Sequence, residues 1–355
     1  VNPFVGARFY VNPDYARDVE ALAAKTPDHE ASLRKLARLP TAIWLSSMED
    51  ARTVGRYLDA AAAEQIGGGP PVVPVFVLYD LPGRDCNAEA SAGELGIDDR
   101  GEARYQHEFV DVIAAQLRAH AALRAAVVVE PDSLSNLVTN MGTPKCAAAA
   151  DIYKRGIAYA VKQLSLPNVF VYLEAAHGGW LGWPKNLVRA VHLYREVLDM
   201  AGGPERIRGF ATDVSSYDPV KDETAAARDP NAAPNDELTY VADLARALAN
   251  VGIAEKGFII DTGRNGRANI RSTLLNWCNV KGAGLGARPT AAPAPLVDAY
   301  FFVKVPGESD GTADPQAPRF DRNCASDDAA PGAPQAGKLF ESYLIQLVDN
   351  ANPPL

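Results

Sequence analysis

Short β-branched and aromatic runs alternate with Ala/Leu/Arg-rich stretches of helical period about seven times along this chain, and that rhythm limits its fold more than any other feature. Strands are expected at residues 42–45, 72–79, 126–130, 169–174, 209–212, 257–261 and 297–304. Helices are expected between them, at 48–65, 101–120, 147–164, 186–200 and 237–250. The last carries Leu238, Val241, Leu244 and Leu248 at three- and four-residue steps, an amphipathic stripe. Repeated strand–helix alternation implies a parallel sheet with helices outside it. The strand runs are apolar on both faces, so both faces must be buried. No Gly-x-Gly-x-x-Gly turn follows the first strand, which favours a closed or nearly closed, TIM-barrel-like α/β barrel of seven strands over an open sheet. The 355 residues fit a single catalytic domain spanning 1–355.

Acidic residues cluster where these strands run out. Residues 75–79 break into Asp80-Leu-Pro-Gly-Arg-Asp85-Cys86, and 127–129 into Glu130-Pro131-Asp132-Ser133. Residues 170–173 break into Glu174-Ala-Ala-His177, and 300–303 into Lys304-Val-Pro-Gly-Glu308-Ser-Asp310. An α/β barrel builds its active site from the loops at the C-terminal ends of its strands, so these carboxylates sit where chemistry is done.

The net charge of −9 and the absence of a Lys/Arg-rich run argue against nucleic acid or an anionic membrane as partner, and suit a neutral or cationic substrate. No apolar stretch approaches the length of a transmembrane helix. The chain opens on Val1-Asn-Pro-Phe without a charged-then-apolar leader, as a processed or trimmed product would. Cys86, Cys146, Cys278 and Cys324 have spacings that match no zinc pattern, so no metal and no cofactor are expected. Their even number fits two disulfides and an oxidising, extracellular setting, with four buried thiols as the alternative. Two long Pro/Gly/Ala/Asp stretches, 217–235 and 306–337, interrupt the rhythm. Loops this long are usually functional or disordered, and the second is read as a lid or tunnel wall that a bridge through Cys324 could hold.

Asp132 lies two residues past a strand, after a proline, where it could cap a helix; beside Glu130 in an apolar frame it could instead hold its proton, as a general acid near neutral pH must. Asp85 could belong to an ordinary Pro-Gly turn, or be a second carboxylate supporting that acid, kept ionised by Arg84. Asp310 could be part of a solvated acidic loop, or orient a water and accept its proton with Lys304 and Glu308 nearby. The four tryptophans, Trp44, Trp180, Trp183 and Trp277, fall at strand ends or in loops. The glycines around Trp180 and Trp183 argue for display rather than core packing, and flat indoles suit the apolar faces of a row of sugar rings. His177 fits equally a polar contact to hydroxyls and a satisfied loop histidine. Two carboxylates flanking a sugar linkage are enough to cut a glycosidic bond. Phosphate-loop, Gly-x-Ser-x-Gly and His-Glu-x-x-His motifs are absent.

At these residues the chain resembles glycoside hydrolase family 6, the cellobiohydrolase II and endoglucanase family. The resemblance rests on Tyr-Asp-Leu-Pro-Gly-Arg-Asp-Cys (79–86), Ser-Ala-Gly-Glu (91–94), Glu-Pro-Asp-Ser-Leu-Ser-Asn-Leu-Val-Thr-Asn (130–140), Gly-Thr-Pro-Lys-Cys (142–146), Gly-Trp-Leu-Gly-Trp-Pro (179–184), Trp-Cys-Asn-Val (277–280) and Gly-Glu-Ser-Asp-Gly-Thr (307–312). It implies a distorted seven-stranded barrel and metal-free, inverting hydrolysis of β-1,4-glucosidic bonds in cellulose or cello-oligosaccharides. By this resemblance Asp132 matches the general acid, Asp85 the carboxylate supporting it, and Asp310 the proposed base. Tyr79 matches the residue that helps distort the sugar, and Ser91 one that orients the attacking water. Sugar-binding positions are Trp44, Glu174, His177, Trp180, Trp183, Asp213, Trp277, Lys304 and Glu308. The resemblance also implies pairing of Cys86 with Cys146 and of Cys278 with Cys324.

Three residues depart from the family pattern: Glu174 and Ala92 replace an aspartate and an asparagine, and Asp213 stands where asparagine is usual. The extra methylene of Glu174 is expected to push a sugar-contacting carboxylate about 1.5 Å further out. Family endoglucanases shorten the region corresponding to 306–337; here it is long, which implies a tunnel and exo-action from non-reducing ends. The expectation is a secreted, monomeric enzyme releasing cellobiose. An endo-acting relative on the same scaffold, or a catalytically weakened glucan-binding protein, are the alternatives.

Overall fold

The computed structural model describes residues 1–223 and 229–355. Among the described residues ten strands form: β1 (Arg8–Phe9), β2 (Ile43–Leu45), β3 (Val72–Val73), β4 (Val75–Leu78), β5 (Ala125–Val129), β6 (Val169–Glu174), β7 (Gly209–Thr212), β8 (Gly257–Asp261), β9 (Thr290–Ala294) and β10 (Val297–Phe301). The main sheet runs β2-β4-β5-β6-β7-β8-β10-β9. Its first seven members are parallel, and β9 pairs antiparallel to β10. The seven parallel strands are the seven expected ones. The sheet curls back on itself, and the Ala42 amide donates to the Phe302 carbonyl at 3.0 Å where β2 and β10 meet. Just above, the Trp44 indole donates to the Val303 carbonyl at 2.7 Å. One bridge and one side chain thus stand where a regular barrel has a ladder, which is the distortion the resemblance implied.

Alternation along the strands sorts side chains into two cores. Val75, Val77, Ala126, Val128, Tyr172, Ala211, Ile259, Ala299 and Phe301 fill the barrel. Their neighbours Phe76, Leu78, Val127, Val129, Val171, Leu173, Phe210, Phe258 and Ile260 face the surrounding helices. Burial on both faces is why the strands read as continuous apolar runs. Where β7 and β8 begin, a Cβ on Gly209 would sit 1.7 Å from the Gly257 carbonyl oxygen, so only glycine lets these strands pair there.

The expected helices form at Met48–Gln65, Pro144–Leu164, Pro184–Ala201 and Glu237–Asn250. The one expected at 101–120 runs from Asp99 to Ala119 but widens into a π-turn over Tyr105–Val110, which turns the Tyr105 hydroxyl inward to Glu130 at 2.8 Å. Two features went unanticipated. Pro74 splits the run 72–79, because it has no N–H for the ladder; Val72 and Val73 pair with β1 instead. Strand β9 is Thr-Ala-Ala-Pro-Ala, poor in β-formers, and survives because an edge strand tolerates proline.

Both disulfides form, Cys86–Cys146 and Cys278–Cys324, across 60 and 46 residues of chain. Of the expected long loops, residues 224–228 of the first lie outside the described residues. The second contains only a short 3-10 turn, Arg322–Ala325, and is pinned at Cys324. No helix among the described residues is long and apolar enough to cross a membrane.

Candidate active site

The C-terminal ends of β4 to β7 are marked by left-handed backbone at residues other than glycine: Asp85 (φ 55°), Glu130 (50°), Asp132 (64°), Ala176 (50°), Asp213 (58°) and Ser215 (61°). Each such residue costs roughly 1–3 kcal/mol and persists only where its surroundings enforce it. The enforcement is visible at Asp132. Its amide donates to Glu174 Oε2 at 3.1 Å, and its carbonyl accepts from Asn136 Nδ2 at 2.6 Å. Although Asp132 precedes the helix Ser133–Thr139, its side chain makes no cap bond, so the carboxyl is left for the cleft.

That carboxyl is pushed up to about 7, by burial first, then by the negative charges of Asp85 and Asp310, against the pull of Lys304. The sequence pointed to Glu130 as the crowding neighbour, and this is corrected. Glu130 is 1% exposed and turned behind the strands, where it accepts from the Asp80 and Leu81 amides and the Tyr105 hydroxyl. Asp85, reaching over from the β4 loop, and Asp310, from beyond β10, crowd Asp132 instead.

Asp85 is itself pushed up to about 6 by burial, opposed by Lys145 ahead of Arg84. Arg84 was expected to pair with Asp85; its guanidinium has another task. It donates to the carbonyls of Tyr79 (2.5 Å), Ser46 (2.8 Å) and Ser91 (2.7 Å), and lies 4.6 Å over the Tyr79 ring. It therefore holds the Ser91 loop against β4, and the Ser91 side chain hydrogen-bonds Tyr79. Tyr79 meets Trp44 edge-on at 5.3 Å.

Asp310 has the opposite environment. Burial would raise it, but Arg264 and Lys304 overcome that and hold it below the usual carboxylate range. Its Oδ2 accepts from Arg264 Nη1 (2.5 Å), the Asn279 amide (2.8 Å) and the Tyr217 hydroxyl (3.3 Å), while Lys304 Nζ lies 3.1 Å from Oδ1. Glu308 is pushed up to about 7 by burial, with Lys304 opposing. The site thus holds one carboxyl poised to keep a proton and one held without it. Environments that push two such groups apart are how acid and base roles are assigned at one pH. Because the negative charge of Asp85 raises Asp132, replacing Asp85 with Asn should move the alkaline limb of kcat/KM to lower pH, on the order of one unit. A pH–rate profile checks this; an unmoved limb would mean the two carboxyls do not interact.

On the far bank, His177 Nδ1 lies 2.8 Å from Asp218 Oδ2, with the ring 6.2 Å from Trp180. The Trp180 indole donates to Thr139 Oγ1 at 2.8 Å and that of Trp183, 42% exposed, to the Gly179 carbonyl at 3.0 Å. Two expected sugar-binding residues lie buried and bonded within the protein. Glu174 is 3% exposed, and both its oxygens are taken by the backbone amides of Asp132 and Ala176. Its longer side chain folds back under Asp132 rather than reaching outward, because those strained amides are the nearest donors. Asp213 is fully buried, accepting from the Asp218 amide (3.1 Å) and Asn265 (3.0 Å), and supports the loop from beneath.

His177, Asp213 and Asp218 place ligand atoms within 4.8 Å of one another. The Asp213 and Asp218 carboxylates already accept hydrogen bonds, and Arg271 bonds Asp218 Oδ1, placing a positive charge beside them. Sequence reasoning missed Arg264, Tyr217 and Asn279 around Asp310. Arg264 was findable, since Asp261-Thr-Gly-Arg264 follows β8 as the other charged groups follow their strands.

The loop 306–337 touches both banks. Asp321 Oδ2 accepts from the Glu89 and Ala90 amides (2.8 and 3.1 Å), next to Ser91. Cys324 is bonded to Cys278, next to Trp277. A cavity of about 650 Å³ under this loop, walled mainly by Ala, Pro and Gly of 312–335, carries none of the candidate catalytic groups.

The chain belongs to glycosyl hydrolases family 6, whose family model matches residues 4–351. It is 43% identical over 362 residues to a probable 1,4-beta-D-glucan cellobiohydrolase C of Neosartorya fischeri, covering 99% of this chain and 79% of that protein. It is 41% identical to exoglucanase 3 of Agaricus bisporus, covering 100% of this chain and 80% of that one. Among solved structures, cellobiohydrolase II of Humicola insolens, in complex with glucose and cellotetraose, superposes with a TM-score of 0.94 at 39% identity over 100% of both chains.

Proposed function

We propose that this protein hydrolyses β-1,4-glucosidic bonds of cellulose with inversion, releasing cellobiose from non-reducing chain ends. The observation that carries the reading is the contrast between Asp132, whose carboxyl is raised to about 7, and Asp310, held ionised. In this reading Asp132 protonates the bridging oxygen as the bond breaks, and Asp85 keeps that proton in place beforehand. Asp310 accepts a proton, directly or through a second water, from the water attacking the opposite face of the ring. Inversion requires the two carboxyls roughly 6.5–9.5 Å apart, with room for that water. Tyr79 crowds the sugar at the scissile bond, and Ser91 orients the water. Trp44, Trp180, Trp183 and Trp277 bind sugar faces, and His177, Lys304 and Glu308 bind hydroxyls.

Exo-action is supported by the relatives' names as cellobiohydrolases and an exoglucanase. The loop fastened at Asp321 and Cys324 supports it physically, because a roofed passage admits a chain end more readily than a chain middle. Two disulfides favour action outside the cell. Digestion of cellohexaose with the product anomers resolved tests the chemistry. Newly formed α-cellobiose is expected, and retained β-product would overturn the inverting assignment. Exo-action predicts a slow fall in carboxymethylcellulose viscosity per reducing end released; a steep early fall would make the enzyme an endoglucanase.

A further inference from the structure

Leu274 and Leu275 occupy the corner of a tight turn and face solvent, 46% and 81% exposed. The turn closes through the Asn276 amide to the Thr273 carbonyl (3.1 Å) and the Leu275 amide to Thr273 Oγ1 (3.3 Å). Turn corners favour Gly, Pro, Asn and Asp, and Leu275, 81% exposed, contributes little to folding from there. Yet the turn is braced. Asp328, from the long loop, accepts from the Ser272 amide (2.7 Å), Ser272 Oγ (2.8 Å) and Asn276 Nδ2 (2.7 Å). Arg271 at its base bonds Asp218 Oδ1, the carboxylate that also holds His177.

The position of the turn gives these leucines a partner. A Cβ placed on Gly179 would lie 3.1 Å from Leu274 Cδ1, so Leu274 packs against the turn that bears Trp180 and whose Gly179 carbonyl receives the Trp183 indole. Two residues after Leu275 comes Trp277. The leucines therefore adjoin both tryptophan-bearing segments, Leu274 by packing at Gly179 and Leu275 two residues before Trp277.

We infer that Leu274 and Leu275 form an apolar step at the rim that grips the C–H faces of the glucan segment still outside the cleft. The inference rests on the proposed hydrolysis of β-1,4-glucan and adds where the unprocessed chain is held. A pyranose ring offers a flat apolar face of a size two leucine side chains can cover. A protein partner would need on the order of 1,000 Å² of buried surface, which a two-leucine tip cannot provide alone.

The test compares the wild-type chain with Leu274→Ser/Leu275→Ser and with Leu275→Ser alone, whose highly exposed side chain can be removed without unfolding risk. Binding isotherms on insoluble cellulose in the cold, and kcat/KM on cellotetraose, are measured for each. Binding to insoluble cellulose should weaken about fivefold in the double variant and less in the single one, while kcat/KM on cellotetraose changes less than twofold. Unchanged binding would overturn the inference. So would an equal loss on cellotetraose, which would make the leucines a prop for Trp277, or a shift from dimer to monomer without loss of binding, which would assign them to a second copy of the chain. A wild-type chain that binds cellulose but frees no sugar would sink the hydrolase reading and leave the isotherms to decide the leucines.

Discussion

Asp132→Asn should lower kcat on cellotetraose by about 10³-fold, while hydrolysis of a cellobioside bearing a well-stabilised phenolate leaving group falls far less. The difference follows from what the carboxyl supplies. A sugar alkoxide cannot depart without a proton, whereas a stabilised phenolate can. The substitution keeps the size of the side chain, and the amide of residue 132 still donates to Glu174, so the left-handed backbone at this position is retained. Stability should not fall and should rise at neutral pH, because the raised pKa means that ionising the buried carboxyl opposes folding, a penalty the neutral amide removes. Steady-state rates on the two substrates, with a denaturant curve as control, decide the matter. Equal losses on both substrates would remove Asp132 as the acid.

Asp310→Asn should act on two levels. It removes the anion from between Arg264, whose side chain is 1% exposed, and Lys304. Leaving a buried guanidinium without its partner costs about 3–5 kcal/mol, readable in urea unfolding. Stability from Asp310 is present above its unfolded-state pKa and lost as pH falls through the lowered folded value, so the gap between wild type and variant should close in acid. Turnover should fall by about 10²-fold, less than for Asp132, because the two cations that keep Asp310 ionised also weaken it as a proton acceptor. A small anion such as azide, entering where the water attacks, should restore turnover if Asp310 serves the nucleophile. Lost stability with undiminished turnover would make Asp310 purely structural.

Much of the fold was legible because the barrel strands are local in sequence and buried on both faces. Val75 to Leu78 and Ala125 to Val129 are apolar without interruption, and the amphipathic stripe of Glu237–Asn250 needs no distant partner to be seen. What escaped depended on contacts far along the chain. Strand β1 exists because Arg8 and Phe9 meet Val72 and Val73, and β9 because Val297–Phe301 offers it an edge. The π-turn at Tyr105–Val110 accompanies a bond to Glu130, 25 residues away.

The candidate site divides in the same way. Residue types and their places at strand ends were readable, since a parallel barrel brings all those ends to one rim whatever the details. Which charge faces which could not be read. Glu130 and Asp132 are two residues apart yet turn away from each other, while Asp85, Asp132 and Asp310 converge from three separate strand ends. Sequence matches Glu174 to a sugar-binding position, and only the structure places its carboxylate on the left-handed backbone amides of Asp132 and Ala176. The chain by itself determined a curled parallel barrel with acids and indoles around its mouth, because hydrophobic period and strand order are carried by neighbours. Only the tertiary structure decided which carboxyl keeps its proton and which is stripped of it, because desolvation and the field of Arg264 and Lys304 depend on distances in space rather than along the chain.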